Sequence, residues 1–253
     1  MKKSKKYNKI KLLEKLLVII PIVIALCIIS RMLPDNTLRL NLGESEIGDK
    51  AIALTFDDGP SENTEKLLDG LDEYGAKVTF FVLGSKAEEN PDIVLRAYEE
   101  GHLIANHTYS HMNFLLSNKE DILEDINKGE QVIEKITGTK PLFLRPPHGY
   151  INSYQLKQID KFFVKWSVDS KDWDGKDANY IFNRIINAED GDIILLHDTN
   201  EATVRAVLSA IPVMQEEGYR FVSVDELLTR NGDKLKMNVA YRKCEADKNP
   251  VVF

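Results

Sequence analysis

The chain has 253 residues, of which 43% are hydrophobic and 29% are charged, a composition typical of a globular protein with one core. Its first 31 residues carry eight Lys or Arg and one acid, which leaves a charge of −14 on the remainder of a chain whose total charge is −7. An acidic body without a basic stripe argues against nucleic acid as a partner, because phosphate binding needs clustered Lys and Arg. Cys27 lies in an apolar run and Cys244 in a polar segment, so no disulfide is predicted.

The N-terminal segment predicts a membrane anchor. Residues 1–11 form a Lys-rich tip, which sets this end in the cytoplasm, and residues 12–33 form the predicted transmembrane helix. The uncharged run at 16–29 would span about 21 Å, which is short for a bilayer and leaves a cleaved signal peptide as the alternative. No small-x-small cleavage pattern follows Ala25, which favours the uncleaved anchor. We expect a single-pass protein of the cell membrane with its main domain extracellular, or a secreted protein if the segment is cleaved.

Beyond a linker at 34–49, short apolar runs alternate with helix-like stretches. The strand candidates are residues 51–56, 78–83, 103–105, 142–144, 162–168, 193–196 and 221–224. The helix candidates between them are residues 62–74, 86–100, 119–136, 153–159, 178–187 and 202–217. This alternation predicts one α/β domain over residues 50–230 with parallel strands, either a barrel with fewer strands than a TIM barrel or an open doubly wound sheet. Residues 231–253 are predicted to be a loose polar tail.

Two acids end the first predicted strand. Asp57 and Asp58 are followed at once by Gly59 and Pro60, which break the strand and can aim both carboxylates toward the mouth of the sheet. Taken alone, the same dipeptides are equally typical of an ordinary turn.

Two histidines follow the third predicted strand. His107 and His111 are four residues apart, which is a familiar spacing of zinc ligands and a rare coincidence in a chain with five histidines. Asp57 or Asp58 would supply the third protein ligand and leave one position open for water, the arrangement of a catalytic metal. The alternative is a pair of histidines with structural roles.

Three further strand ends carry polar side chains. Arg145 precedes two prolines that stiffen its turn, Asp169 and Trp173 follow the fifth predicted strand, and His197 ends a continuous apolar run. An acid and an exposed aromatic suit a sugar-binding mouth, and a histidine there suits proton transfer. A surface arginine, a core tryptophan and a structural histidine are the plain alternatives.

These five motifs, in their order and spacing over residues 50–228, resemble the NodB-homology polysaccharide deacetylases, carbohydrate esterase family four. The resemblance implies a distorted barrel of about seven β/α units, a (β/α)7 barrel of the polysaccharide deacetylase type. It implies a divalent metal, zinc first with cobalt or nickel as alternatives, bound by Asp58, His107 and His111. It also implies catalytic roles for four residues: Asp57 as the base, Arg145 as its partner, His197 as the acid and Asp169 as the carboxylate that tunes it.

The resemblance implies a substrate-binding groove as well. Trp173 and Leu195 would wall the acetyl group, and the backbone N–H of His148 would donate to the oxyanion. His148 departs from the family, which usually has Tyr there, so sugar stacking and the pH profile are open. The implied substrate is an extracellular N-acetylated polysaccharide, with the N-acetylglucosamine of peptidoglycan as first choice. A catalytically idle glycan-binding scaffold and an O-acetyl esterase remain alternatives, and neither the oligomeric state nor the exact glycan follows from the sequence.

Overall fold

The computed structural model describes residues 50–244, in which parallel strands alternate with helices. The first half contains β1 (Lys50–Asp57), α1 (Glu62–Glu73), β2 (Thr79–Val82), α2 (Gly84–Glu89), α3 (Pro91–Glu99), β3 (Leu103–Asn106) and α4 (Lys119–Thr137). The second half contains β4 (Phe143–Leu144), α5 (Ser153–Leu156), β5 (Phe162–Val164), β6 (Val168–Asp169), α6 (Ala178–Ile186), β7 (Ile193–His197), α7 (Glu201–Glu216), β8 (Tyr219–Phe221), α8 (Val224–Thr229) and β9 (Ala240–Tyr241).

The described strands form one sheet in the order β6-β7-β1-β2-β3-β4-β5-β9, and β8 pairs with the start of β1. Every pairing between these strands is parallel, so the predicted α/β fold is confirmed. The count of seven strands is too low, since residues 50–244 hold nine. β6 and β9 end this order without pairing with each other, so the described strands make a half-barrel rather than a closed ring.

The register brings the polar strand ends together. Asp57, the last residue of β1, lies opposite His197, the last residue of β7. On the other side of β1, Asp57 lies opposite Phe81 of β2, and β3 follows with Asn106 opposite Leu144. Because parallel strands finish at a common edge, the loops that follow them meet at one mouth.

Several elements differ from their predicted form. The predicted strand 162–168 is two strands, since β5 pairs with β4 and β9 whereas β6 pairs with β7. The predicted helix 86–100 breaks at Asn90, because Pro91 begins α3 and suits a first helical position. Val224, predicted in a strand, begins α8.

The prediction of a loose polar tail is wrong for the end of the described chain. Ala240 and Tyr241 form β9 and are buried. Cys244 is buried too, and its N–H donates to the carbonyl of Gly191 at 2.8 Å. A two-residue strand is too short to show a periodicity, so the sequence pattern could not reveal it. The compact domain therefore extends beyond residue 230.

The predicted tip (1–11), anchor (12–33) and linker (34–49) lie outside the described residues. Between residues 50 and 244, no helix has both the length and the apolar character needed to cross a membrane. The anchor at 12–33 therefore stays a prediction.

Candidate active site

Asp57 lies at the mouth in an ion pair with a buried arginine. Its Oδ1 is 2.8 Å from Nη1 of Arg145, and both side chains are almost fully buried. Arg145 also donates to Oγ1 of Thr55 and to the carbonyls of Val164 and Lys165. Burial lowers the pKa of the Arg145 guanidinium, whereas the charge of Asp57 supports its protonated form. The predicted partnership of Asp57 and Arg145 is therefore present, and it holds a carboxylate in one orientation at the mouth.

Asp58, His107 and His111 form a cluster suited to a metal ion. Oδ1 of Asp58 is 3.5 Å from Nε2 of His107 and 3.4 Å from Nε2 of His111, and one ligand atom from each residue lies within 4.8 Å of the others. This oxygen is buried and accepts no hydrogen bond from any described residue. A buried, unsatisfied carboxylate oxygen facing two imidazole nitrogens is the environment that a divalent cation satisfies.

The surroundings of the two histidines in this cluster suit them to bind a metal ion. Nδ1 of His107 is 2.7 Å from the carbonyl of Arg145, which fixes Nδ1 as the donor and leaves the Nε2 lone pair directed at Asp58. Burial lowers the pKa of His111, against the opposing charge of Asp58, and so favours the neutral imidazole that binds metals. The residues present thus fit the metal that the family resemblance implies.

The loop that carries both histidines has an unusual backbone. Thr108 and His111 have positive φ values of 69° and 62°, in the left-handed region where the backbone of residues other than glycine is strained. Two hydrogen bonds hold them there: Oδ1 of Asn106 accepts from the N–H of Thr108, and Oγ1 of Thr108 accepts from the N–H of His111. Asn106 carries no reactive group, and sequence reasoning missed this organising role.

His197 pairs with Asp172, which corrects the prediction of Asp169. Nδ1 of His197 is 2.8 Å from Oδ1 of Asp172, and the N–H of His197 and Oγ1 of Thr203 both donate to Oδ2. Burial opposes ionisation, but the bonds from His197 and Thr203 hold the pKa of Asp172 below its usual value. Burial likewise disfavours the imidazolium, yet Asp172, followed by Asp57 and Asp58, raises the pKa of His197 to about 9.

Asp169 binds other groups instead. Its Oδ1 accepts from the N–H of Lys171 at 2.9 Å and from Nε1 of Trp173 at 3.2 Å, and its Oδ2 lies 3.0 Å from Nζ of Lys171. Lys171 has a left-handed backbone (φ 59°), and this turn carries the following Asp172 back toward His197. Both acids stand in one four-residue stretch, so the sequence offered no signal to choose between them.

The three predicted groove residues have different surroundings. Trp173 is 59% exposed, so it presents an aromatic face to solvent rather than joining the core. Leu195 is buried, two residues before His197 on β7. His148 is exposed, with a left-handed backbone, and its ring contacts that of His111 at a centroid distance of 4.7 Å. His148 therefore lies against the metal cluster through its side chain.

A second buried acid supports the turn after β1. Asp198 is fully buried, and Oγ1 of Thr64 donates to its Oδ2. A Cβ on Gly59 would lie 2.6 Å from the carboxylate of Asp198, so only glycine fits at that point of the turn. Burial raises the pKa of Asp198 to about 6. Sequence reasoning did not single out Asp198, which here packs beneath the loop that carries Asp58.

Comparison with known proteins shows which family the chain resembles. The family model described as polysaccharide deacetylase matches residues 44–165. The peptidoglycan-N-acetylglucosamine deacetylase PgdA of Listeria monocytogenes is 36% identical over 194 residues, which are 76% of this chain and 41% of that protein. A peptidoglycan-N-acetylglucosamine deacetylase of Bacillus cereus is 40% identical over 192 residues, covering 72% of this chain and 70% of the relative.

Solved structures share the fold. A family 4 acetyl xylan esterase from Clostridium thermocellum, in complex with a cobalt ion, superimposes with a TM-score of 0.72 at 33% identity, covering 77% of this chain and 98% of the esterase. The chain spans less than half of the Listeria protein's length, so the similarity concerns the domain and not that whole protein.

Proposed function

We propose that this chain, which belongs to the polysaccharide deacetylase family, is a metal-dependent hydrolase that removes N-acetyl groups from an extracellular polysaccharide. The first candidate substrate is the N-acetylglucosamine of peptidoglycan, on which two of its relatives are named to act. One observation carries the proposal. A paired carboxylate, an Asp-His-His cluster and a paired histidine converge at one mouth from separate strand ends.

The metal would be held by Asp58, His107 and His111, with zinc as first choice and cobalt or nickel as alternatives. When bound, a divalent cation supplies Lewis-acid chemistry: it polarises a carbonyl and lowers the pKa of a water molecule. Asp58 would contribute the one carboxylate ligand, and His107 and His111 would each contribute one imidazole nitrogen. This donor set leaves Asp57 outside the cluster and available as a base.

In this proposal, Asp57 takes a proton from the attacking water. Arg145 binds Oδ1 of Asp57, while Oδ2 lies on the side of the cluster, 3.8 Å from Nε2 of His107. The guanidinium fixes the direction of the carboxylate. Water then adds to the acetamide carbonyl carbon as its proton passes to Asp57. The predicted donation of the His148 N–H to the resulting oxyanion stays a prediction.

In the same proposal, His197 completes the reaction by protonating the leaving nitrogen. Asp172 accepts the hydrogen bond from Nδ1, so the remaining proton of the imidazolium is on Nε2, which lies 4.0 Å from Asp58. When the C–N bond breaks, transfer of this proton gives a free amine on the sugar and acetate as the second product. Base and acid therefore act from adjacent strands, in line with the register of Asp57 and His197.

The test is acetate release from purified peptidoglycan. The wild-type protein loaded with zinc should release acetate, and mass spectrometry of the digested glycan should show which sugar has lost it. Asp57→Asn should reduce the rate about 1,000-fold, because a positioned base contributes about 10²- to 10⁴-fold. Zinc binding, measured by calorimetry, should persist in this variant because Asp58 supplies the carboxylate ligand. Glycan binding without acetate release by the wild type would favour an idle scaffold.

An O-acetyl esterase is the second candidate, favoured by the likeness to the acetyl xylan esterase. The same base and acid can act on an ester. Comparing acetate release from acetylxylan with release from chitopentaose separates the two activities. A higher kcat/KM for chitopentaose is expected for the amide hydrolase.

A further inference from the structure

The segment in which β2 passes into α2, residues 83–86, lies between the two loops that carry the metal cluster. Each of its residues donates a hydrogen bond to a backbone carbonyl of one of these loops. The pairs are Leu83 to Gly59, Gly84 to Thr108, Ser85 to Tyr109 and Lys86 to Asp58, at 3.0, 2.8, 3.1 and 2.8 Å respectively. One short segment therefore contacts both the loop of Asp58 and the loop of His107 and His111.

Two of these carbonyls belong to residues with a left-handed backbone. Asp58 has a φ of 66° and Thr108 has a φ of 69°. Such a conformation persists in a residue other than glycine when neighbouring groups fix it, and the segment 83–86 binds the carbonyl of both residues. The carbonyl and the side chain of Asp58 are attached to neighbouring backbone atoms. A bond that fixes the carbonyl therefore also limits the directions open to the carboxylate.

Lys86 differs from the other three donors because its bond comes from a side chain. The N–H groups of the other three residues are backbone groups, which remain after any substitution other than proline. Nζ of Lys86 binds the carbonyl of Asp58, the one carboxylate among the three candidate ligands. This contact can therefore be removed by one substitution while the other three stay in place.

The helix that carries Lys86 is closely packed and gives its side chain a fixed base. A Cβ on Gly84 would lie 2.8 Å from Cα of Gly129 on α4 and 2.9 Å from Cδ2 of Tyr109. Lys86 itself is half-buried. A side chain that its surroundings already restrict loses less conformational entropy when it forms a hydrogen bond, so it holds Asp58 more firmly.

We propose that Lys86 is a positioning residue for the metal, which sets the affinity of the cluster for a divalent cation by holding the backbone of Asp58. The inference rests on the metal site of the proposed function and adds a residue outside the three ligands. Lys86 itself is not a ligand, because an ammonium group has no lone pair to offer. Its positive charge alone would repel a cation, so positioning and charge predict opposite results when Lys86 is removed.

The test is the zinc affinity of the full-length protein, measured by competition with a chelating dye in the absence of substrate. Lys86→Met keeps a long side chain without the donor, and its Kd for zinc should rise about tenfold or more, the scale for partners that orient metal ligands. Lys86→Arg keeps an N–H donor and should stay within about threefold of the wild type. Lys135→Met is the matched control, since Lys135 is an exposed lysine in the last turn of α4, and it should leave the Kd unchanged.

A thermal melt of the metal-free proteins separates positioning from a purely structural role. Lys86→Met should melt close to the wild type while its Kd rises, because the lost bond orients one ligand rather than supporting the core. A lower melting temperature with an unchanged Kd would overturn the proposal, and so would a lower Kd, which would mean that the charge of Lys86 acts alone. If Lys86→Met does not fold, Lys86→Gln, which shortens the side chain and keeps it polar, takes its place with the same expected rise in Kd.

Acetate release from peptidoglycan, measured on the same samples, distinguishes this inference from the proposed function. Equal zinc Kd values for the wild type and Lys86→Met, with acetate released, would overturn the role of Lys86 alone. The expected rise in Kd without acetate release from any substrate would support the role of Lys86 and overturn the proposed reaction. A wild type that binds no zinc would overturn both.

Discussion

The two faces of β1 serve different purposes. Ile52, Leu54 and Phe56 point toward the surrounding helices and belong to the largest apolar cluster of the described residues, with Phe56 stacked on Phe80 at 5.5 Å between ring centroids. Thr55 and Asp57 point into the half-barrel, where Arg145 binds both. One strand thus stabilises the fold with one face and carries the proposed catalytic carboxylate on the other.

The difference lies in what each face requires. The helix-side face stabilises the fold because its apolar surface is removed from water, and any close-packed hydrophobic side chains can provide such a surface. The interior face buries charges, which stay only because specific partners bind them: Asp57 with Arg145, and Asp172 with His197. Substitutions on the interior face should therefore affect catalysis first, and substitutions on the helix-side face should affect stability first.

The largest effect is expected from Asp172→Asn. The asparagine can keep the size of the side chain but removes the charge that holds the His197 imidazolium, so kcat for acetate release should fall about 1,000-fold. Asp169→Asn is the matched control and should lower kcat less than about tenfold, since Asp169 contacts Trp173 and Lys171 instead. Steady-state kinetics of both variants decide the assignment. A larger loss in Asp169→Asn would restore the original prediction.

Leu54→Ala should lower the stability of the protein and leave kcat almost unchanged, in contrast to Asp172→Asn. Leu54 is fully buried in the helix-side cluster, and truncation there should lower the free energy of unfolding by about 3 kcal/mol. Below the midpoint of the thermal transition, kcat should stay within about twofold of the wild-type value. Leu195→Ala removes a buried leucine from the interior face, two residues from His197, and should lower kcat/KM as well. Urea unfolding and kinetics on the same samples would show the contrast, and equal kinetic losses in both variants would contradict it.

The sequence predicted the interior face better than it predicted the fold around it. Asp57, His107 and Arg145 could be expected at the mouth because each stands at the end of a strand, and parallel strands bring such ends together whatever the details of packing. Asp172 was missed because its position depends on the left-handed turn at Lys171, a tertiary choice that no residue type in that stretch dictates. The strand β9 was missed because two residues carry no periodicity, and its burial depends on pairing with β5.

The last prediction concerns a polar side chain on the helix side. His102 is buried, its Nδ1 accepts from the N–H of Val78, and its ring meets the edge of Phe80. Burial, followed by the charges of Lys77 and Arg96, lowers its pKa from 6.5 to about 4. His102 therefore takes up a proton below pH 6.5 in the unfolded chain, but only below about pH 4 in the folded chain. The contribution of neutral His102 to stability is complete above pH 6.5 and is lost as the pH falls from 6.5 to about 4. The loss in the free energy of unfolding should reach about 3 kcal/mol.

Urea unfolding between neutral pH and a pH of about 4.5 tests this prediction. The free energy of unfolding should fall less steeply with falling pH in His102→Gln than in the wild type. Parallel profiles for the two proteins would contradict this prediction, because they would mean that His102 takes up its proton as readily in the folded state as in the unfolded state. The helix-side face would then tolerate an unpaired buried charge, whereas the interior face holds buried charges only in pairs.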